Sequence, residues 1–153
     1  YASQVYSLVY SMVRNREEAQ ELTSDVFIKA YGQLKKFRRE SMFSTWLYRI
    51  AYNTAISHLR RATRVEVELD ELRVSDMSDD EEESLIKEAR LQQLERALDR
   101  LIPSERALID MFYMNKMTAG EVASVVNDSE GSVKVRIFRI RRKLAGIIKE
   151  MGV

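Results

Sequence analysis

Thr118-Ala-Gly-Glu121-Val-Ala-Ser-Val-Val-Asn127-Asp-Ser129-Glu-Gly-Ser-Val-Lys-Val-Arg-Ile-Phe-Arg-Ile-Arg-Arg-Lys-Leu144 reads as helix, turn, helix. Thr118 with Glu121 three residues on forms a capping box, in which hydroxyl and carboxylate each satisfy an orphan backbone N–H at a helix start. Val122, Ala123 and Val126 give that short helix one apolar face. Asn127 tolerates the left-handed turn conformation, and Ser129 is placed to cap the second helix. In that helix Val133, Ile137, Ile140 and Leu144 make a narrow inward stripe, while Lys134, Arg136, Arg139, Arg141, Arg142 and Lys143 hold the remaining surface. An apolar keel with a cationic outside suits the major groove of duplex DNA, where N-terminal side chains reach base edges and later cations grip phosphates. A basic amphipathic helix lying on a membrane or an acidic protein shares the charge pattern. It does not account for the short helix and capped turn that come before.

Upstream, the pattern stays helical. One Pro, five Gly and almost no strand-like alternation favour an all-α fold. Leu91, Leu94, Leu98 and Leu101 share one helix side; Pro103 restarts the chain, as proline does just inside a helix start, and Ala107, Leu108, Met111 and Phe112 follow. At the N-terminus Val5, Leu8, Val9, Met12 and Val13 recur at helical spacing. Asn15 is expected to stop that helix and, with Glu18, to box the start of the next, which buries Leu22, Val26, Ala30 and Leu34 and ends near Phe37. After the polar loop Arg38 to Phe43, a third helix is expected from about Ser44, its N-cap, to about Arg61. Leu47, Ile50, Ala51, Thr54 and Ala55 form its inward arc, and Trp46, Arg49, Asn53, Ser57 and Arg60 gather opposite. Because Tyr1 already lies within the periodic pattern and is not Met, the chain is expected to begin partway into a helix, with N-terminal sequence missing.

Composition narrows the chemistry. With no Cys and one His, His58, the chain lacks the ligands for a zinc finger and the residues for a disulfide scaffold or a Cys or His nucleophile site. No apolar run approaches the roughly 18–20 residues of a membrane span, and none resembles a signal peptide, so a cytoplasmic protein without membrane insertion is expected. The formal net charge of +1 conceals a division. Residues 1–65 carry 11 Lys/Arg against 5 Asp/Glu, residues 66–90 carry 3 against 11, and residues 91–153 carry 11 against 8. Two basic blocks flanking an acidic one fit a polyanion touched at two places and avoided between; a solvated linker between ordinary domains fits the same numbers. The domain reading is two small helical domains, an N-terminal helical bundle (1–65) and a C-terminal helix-turn-helix domain (84–153), joined by a flexible acidic linker (66–83).

Two segments together resemble the extracytoplasmic-function group of bacterial RNA polymerase sigma factors. The first is Glu21-Leu-Thr-Ser-Asp-Val-Phe-Ile-Lys-Ala-Tyr31 with Phe37-Arg38 and Phe43-Ser-Thr-Trp-Leu-Tyr-Arg-Ile-Ala-Tyr-Asn-Thr-Ala55; the second is Leu101-Ile-Pro103 with the helix-turn-helix through Leu144. The resemblance covers nearly the whole chain in the right order. It implies a factor that binds core RNA polymerase and directs promoter-specific initiation, with no enzymatic activity and no cofactor. The helix from Thr23 to Phe37 would dock on the polymerase clamp, with Asp25, Lys29 and Gln33 as candidate contacts; an ordinary exposed ion pair between Asp25 and Lys29 is the alternative. The loop Arg38 to Ser44 and the helix after it would open the minus-ten element and hold its non-template strand.

Chemistry and resemblance agree on that last surface. Captured single-stranded DNA needs cations for phosphates and flat or apolar surfaces for unstacked bases. Trp46, Arg49, Asn53 and Arg60 supply both, with Met42 and Phe43 as candidate pocket walls; Phe43 is equally readable as closing the core, and Trp46 reads as serving both roles. For the minus-thirty-five element the resemblance implies Ser132, Lys134, Phe138, Arg139, Arg141 and Arg142. Val135 stands where many members have a small polar residue, so contact with a thymine methyl is expected there. Asp128 occupies a turn position usually apolar, which is expected to weaken packing. The acidic linker would thread a channel of polymerase, and an anti-sigma factor is the implied regulator. A stand-alone helix-turn-helix regulator shares the C-terminal features but leaves Trp46 among arginines unexplained. Asp79 to Glu83 lacks the glycine of a calcium loop and reads as solvated.

Overall fold

The computed structural model describes residues 1–37, 42–66 and 85–151. Among the described residues seven α-helices run in order: α1 Ala2–Val13, α2 Arg16–Gln33, α3 Phe43–Glu66, α4 Leu85–Asp99, α5 Pro103–Ile109, α6 Ala119–Val126 and α7 Glu130–Glu150. A 3-10 turn, Leu34–Lys36, extends α2, and a π-turn, Asp110–Met114, extends α5. The fold is all-α, two helical domains as the sequence predicts. Among the described residues no helix is long and apolar enough to cross a membrane. The predicted linker, Asp79 to Glu83 within it, and the loop residues Arg38 to Ser41 lie outside the described residues, save Glu66, which ends α3.

α1 carries the N-terminal core. Val5, Leu8, Val9 and Met12 are fully buried, each such side chain stabilising by about 1.5–3 kcal/mol relative to exposure. They meet Ala19, Leu22, Val26 and Ala30 of α2 and Leu47, Tyr48, Ala51 and Ala55 of α3. Arg14, not Asn15, ends α1: it takes the left-handed conformation (φ 54°) and its N–H bonds Tyr10 O. Asn15 instead caps α2, its side chain accepting the Glu18 N–H at 3.0 Å. The box stays half made, because the Glu18 carboxylate faces His58 at 3.4 Å. α3 begins at Phe43, one residue before the expected cap, and runs to Glu66, beyond Arg61.

In the C-terminal domain Pro103 opens α5, and Ala107, Leu108 and Met111 are buried as predicted. The leucine stripe of α4 is only half internal. Leu101 is buried and Leu98 partly so, but Leu91 and Leu94 are exposed, and the fully buried residue is Ala97. Leu34, expected inside, is also exposed, since the chain has left α2 for the tighter turn.

The two domains pack on each other: α1 lies against α5 and the π-turn, and α3 against α6. α1 meets the C-terminal domain through the Ser7 hydroxyl and the backbone carbonyls of Ser11 and Met12. Ser7 donates to Asp110 Oδ1 at 2.7 Å, and the Asn115 amide donates to Oδ2 at 2.9 Å. Arg106 donates to Ser11 O (2.6 Å) and Met12 O (3.0 Å) at the end of α1, and to Leu98 O and Leu101 O at the end of α4. Burial pushes the Asp110 carboxyl up to about 6, against the lowering effect of its bonds from Ser7 and Asn115. Tyr48, buried near it on α3, is pushed up to about 12 by burial first and by the Asp110 charge second.

Two outcomes follow from these local facts. Because folding raises the Asp110 pKa, the stabilisation from its protonated form is full below about pH 4 and is lost as pH rises through 6, at up to about 1.4 kcal/mol per unit. Urea denaturation at intervals from pH 4.5 to 7.5 should therefore show wild type losing stability relative to Asp110→Asn as pH rises; parallel curves would refute it. At the α6–α7 turn, Asn127 sits at φ 58°. Asn127→Gly should unfold within a few tenths of a kcal/mol of wild type, whereas Asn127→Val should cost about 1–2 kcal/mol, because a β-branched side chain resists that conformation.

Candidate nucleic-acid interface

The helix-turn-helix forms as the sequence prescribes. Thr118 Oγ1 accepts the Glu121 N–H at 3.1 Å while Glu121 Oε1 accepts the Thr118 N–H at 3.1 Å. Ser129 Oγ accepts the Ser132 N–H at 3.1 Å and starts α7. Val133, Ile137 and Ile140 are buried and Leu144 half-buried, with Ile147 extending the keel. The opposite side presents Lys134, Val135, Phe138, Arg139, Arg141 and Arg142, all exposed, Phe138 at 59%.

Three acids temper this cationic side. Lys134 pairs with Glu130 at 3.3 Å, Lys143 with Glu105 at 3.1 Å and Arg136 with Asp128 at 3.5 Å. The Arg142 guanidinium lies over the Phe138 ring, 5.8 Å from its centroid. Asp128 does not weaken the turn, contrary to expectation. Its carboxylate accepts the Ser132 hydroxyl (2.8 Å) and the Ser129 N–H (2.8 Å), and these bonds, with Arg136, hold its pKa below the usual carboxylate range. A polar residue at this apolar-preferring position thus fastens the first turn of α7 from outside. Ser132, a candidate contact, is committed to that bond.

On α3 the structure divides the aromatic-cationic face. Trp46 is half-buried in a cluster with Phe37 (centroids 5.1 Å) and Phe43 (5.5 Å), and Phe43 also meets Phe37 (5.9 Å) and Tyr1 (5.6 Å). The rings pack together, while Phe43 is 37% exposed and Met42 beside it 66%. Asn53 and Arg60 are exposed. Arg49 is not free, since it reaches across to the helix-turn-helix. Its Nε donates to Ser124 O at 3.1 Å and its Nη2 to Ser124 Oγ at 2.8 Å. Tyr52, half-buried, has its phenol pKa raised by burial, opposed by the Arg136 and Arg60 guanidiniums.

Asp25, Lys29 and Gln33 are exposed on α2, but the Lys29 ammonium donates to Thr54 Oγ1 at 3.3 Å and makes no pair with Asp25. Sequence reading missed a second feature of this helix. Phe27, Ile28 (70% exposed), Tyr31 (83%) and Leu34 stand in solvent on the flank away from the polar trio, as about 100° per residue places them. The signal was available: apolar residues at 27, 28, 31 and 34 repeat at helical spacing out of phase with the buried set 22, 26 and 30.

Known proteins match this architecture in both halves. Residues 1–65 match the family model for sigma-70 region 2, and residues 91–144 the model for sigma-70 region 4. The chain is 32% identical over 155 residues to the ECF RNA polymerase sigma-E factor of Escherichia coli K12, covering 94% of this chain and 80% of that one. It is 27% identical to the ECF RNA polymerase sigma factor SigW of Bacillus subtilis, covering 99% and 86%. The sigma factor RpoE of Bartonella quintana, solved in complex with the anti-sigma factor NepR, shares the fold at a TM-score of 0.79 and 22% identity, over 97% of this chain and 91% of that one. With both family regions in order on one chain and this degree of identity along nearly its whole length, the protein belongs to the extracytoplasmic-function group of bacterial RNA polymerase sigma factors.

Proposed function

We propose that this sigma factor divides promoter recognition between two surfaces and meets polymerase on a third. The observation that carries the reading is α7, where a buried apolar keel sits behind exposed Lys134, Val135, Phe138, Arg139, Arg141 and Arg142. This face, with Ser132 at its start, reads the minus-thirty-five element as duplex: cations take phosphates and guanine edges, and Val135 and Phe138 take thymine methyls. Residues 84–153 form the unit that does so. Residues 1–65 form the other, in which Met42, Phe43, Trp46, Arg49, Asn53 and Arg60 receive the opened minus-ten strand. The aromatic cluster supplies a stacking platform worth about 1–3 kcal/mol per base.

Asp25, Lys29 and Gln33 contact the polymerase clamp. On the other flank of α2 the exposed apolar residues Phe27, Ile28, Tyr31 and Leu34 form a separate stripe of the kind that favours a protein partner. The protein works in the cytoplasm, catalyses no reaction itself and uses residues 66–83 as a linker. The complex of the Bartonella relative with an anti-sigma factor supports control by such a protein here.

Run-off transcription with core RNA polymerase tests the reading. Wild type should yield polymerase-dependent transcripts from cognate promoters, and Trp46→Ala should lower strand opening, read by permanganate footprinting, by about 10-fold, as loss of one stacked base implies. Arg141→Ala and Arg142→Ala should each reduce the slope of log affinity against log salt for the polymerase–promoter complex by about 1. Tight duplex binding by the free chain, with no transcripts, would instead identify a stand-alone regulator.

A further inference from the structure

Every polar residue proposed to contact duplex DNA on α7 is a cation, save one. Lys134, Arg139, Arg141 and Arg142 can only donate hydrogen bonds, which suits phosphates and the acceptor edge of guanine. Ser132 is the exception, since a hydroxyl has one proton to give and lone pairs to receive with. Which of the two it offers DNA is settled inside the protein. Asp128 Oδ2 accepts the Ser132 hydroxyl at 2.8 Å. The bonds from Ser132 and Ser129 hold the Asp128 carboxyl below the usual carboxylate range, so it is ionised at neutral pH and the proton between the two oxygens belongs to Ser132.

Asp128 is itself fastened on three sides. Its N–H donates to Ala123 O in the last turn of α6 at 3.0 Å, its Oδ1 accepts the Ser129 N–H at 2.8 Å, and Arg136 stands 3.5 Å from Oδ2. The Ser132 N–H is taken by Ser129 Oγ at 3.1 Å. With backbone and carboxylate both held, the hydroxyl proton is committed to Asp128, and the lone pairs of Oγ are what Ser132 has left for a ligand.

We propose that Asp128 is a specificity-determining positioning residue: it makes Ser132 an obligate hydrogen-bond acceptor, so that α7 selects, at one position of the minus-thirty-five element, a base that offers an amino group, adenine or cytosine. The inference rests on the promoter reading given above. In the major groove adenine N6 and cytosine N4 donate, whereas guanine N7 and O6 and thymine O4 accept and would set lone pair against lone pair. A serine free of Asp128 could donate or accept, and such a serine bonds either kind of edge. The cations of α7 cannot make this choice, because they hold no acceptor. Arg136 bears on attraction alone: paired with Asp128 it is one cation fewer for phosphates, which carry no sequence information.

The test is run-off transcription with core polymerase by wild type, Asp128→Ala, Ser132→Ala and the double variant. The templates exchange each minus-thirty-five base pair of a promoter that wild type transcribes for the other three. Wild type should favour adenine or cytosine over guanine and thymine at one position of one strand by about 5- to 10-fold, the effect of one hydrogen bond made or left unmade. Both single variants should bring that ratio near one at the same position, and the double variant should go no further. Release of Arg136 by Asp128→Ala acts on all templates together and cancels from the ratio. Ser132→Ala places the best helix former in α7, so it reads the preference even where Asp128→Ala, which also loses the bonds of the turn, unfolds. A preference kept in either folded variant, variants acting at different positions, or a sensitive position that favours guanine or thymine would overturn the proposal and leave the sigma assignment standing. Wild type transcribing no promoter would overturn the promoter reading and the proposal with it.

Discussion

The Arg106 guanidinium joins more of this molecule than any other single group described. Helices end with carbonyls that lack partners, and here two helices end near one another. Arg106 donates to Ser11 O and Met12 O of α1 and to Leu98 O and Leu101 O beside α4. One cation thus satisfies the negative ends of two helix dipoles at once, an arrangement that a planar fork of donors suits and a lysine does not. Because α1 also holds α2 and α3 through Val5, Leu8, Val9 and Met12, the bonds at α1's end join the N-terminal bundle to the C-terminal domain, alongside the packing of α1 on α5 and of α3 on α6.

α7 shows how acidic neighbours arrange a strongly basic surface. Glu130, Asp128 and Glu105 each engage one cation on α7, at exposures where such pairs contribute little to stability. Their effect is on placement. Lys134, Arg136 and Lys143 are drawn to the start and one edge of the helix, and Arg142 is held over Phe138. Arg139 and Arg141 are exposed between them. Positive charge is therefore graded along α7 and interleaved with Val135 and Phe138, which fits a surface that discriminates bases as well as attracting phosphates.

Much of this was legible in the sequence, and the reasons are local. Thr118 with Glu121, Asn127 and Ser129 act within four residues of themselves, so their capping and turn chemistry reads directly from neighbours. The keel of α7 and the buried residues of α1 follow from periodicity. What failed was tertiary. Leu34, Leu91 and Leu94 are apolar at helical spacing, yet among the described residues no helix packs over them; periodicity names a face without naming its partner. Arg49 looked available because Ser124, its acceptor, is 75 residues away. Asp128 looked disruptive by type and is stabilising by geometry. At the candidate site, the residue types were readable, but which of them already hold one another was not.

The π-turn at Asp110–Met114 bears on which side chains of that segment face inward. In a regular helix one added residue rotates everything beyond it by about 100°. A wide turn confines that extra residue to a single loop of backbone. Here it turns the Asp110 carboxylate inward to Ser7 and Asn115 and leaves Tyr113 and Met114 outside, before the chain resumes at Ala119. One widened turn thus sets a carboxylate inward and two large apolar side chains outward without adding a turn to the connection between α5 and α6.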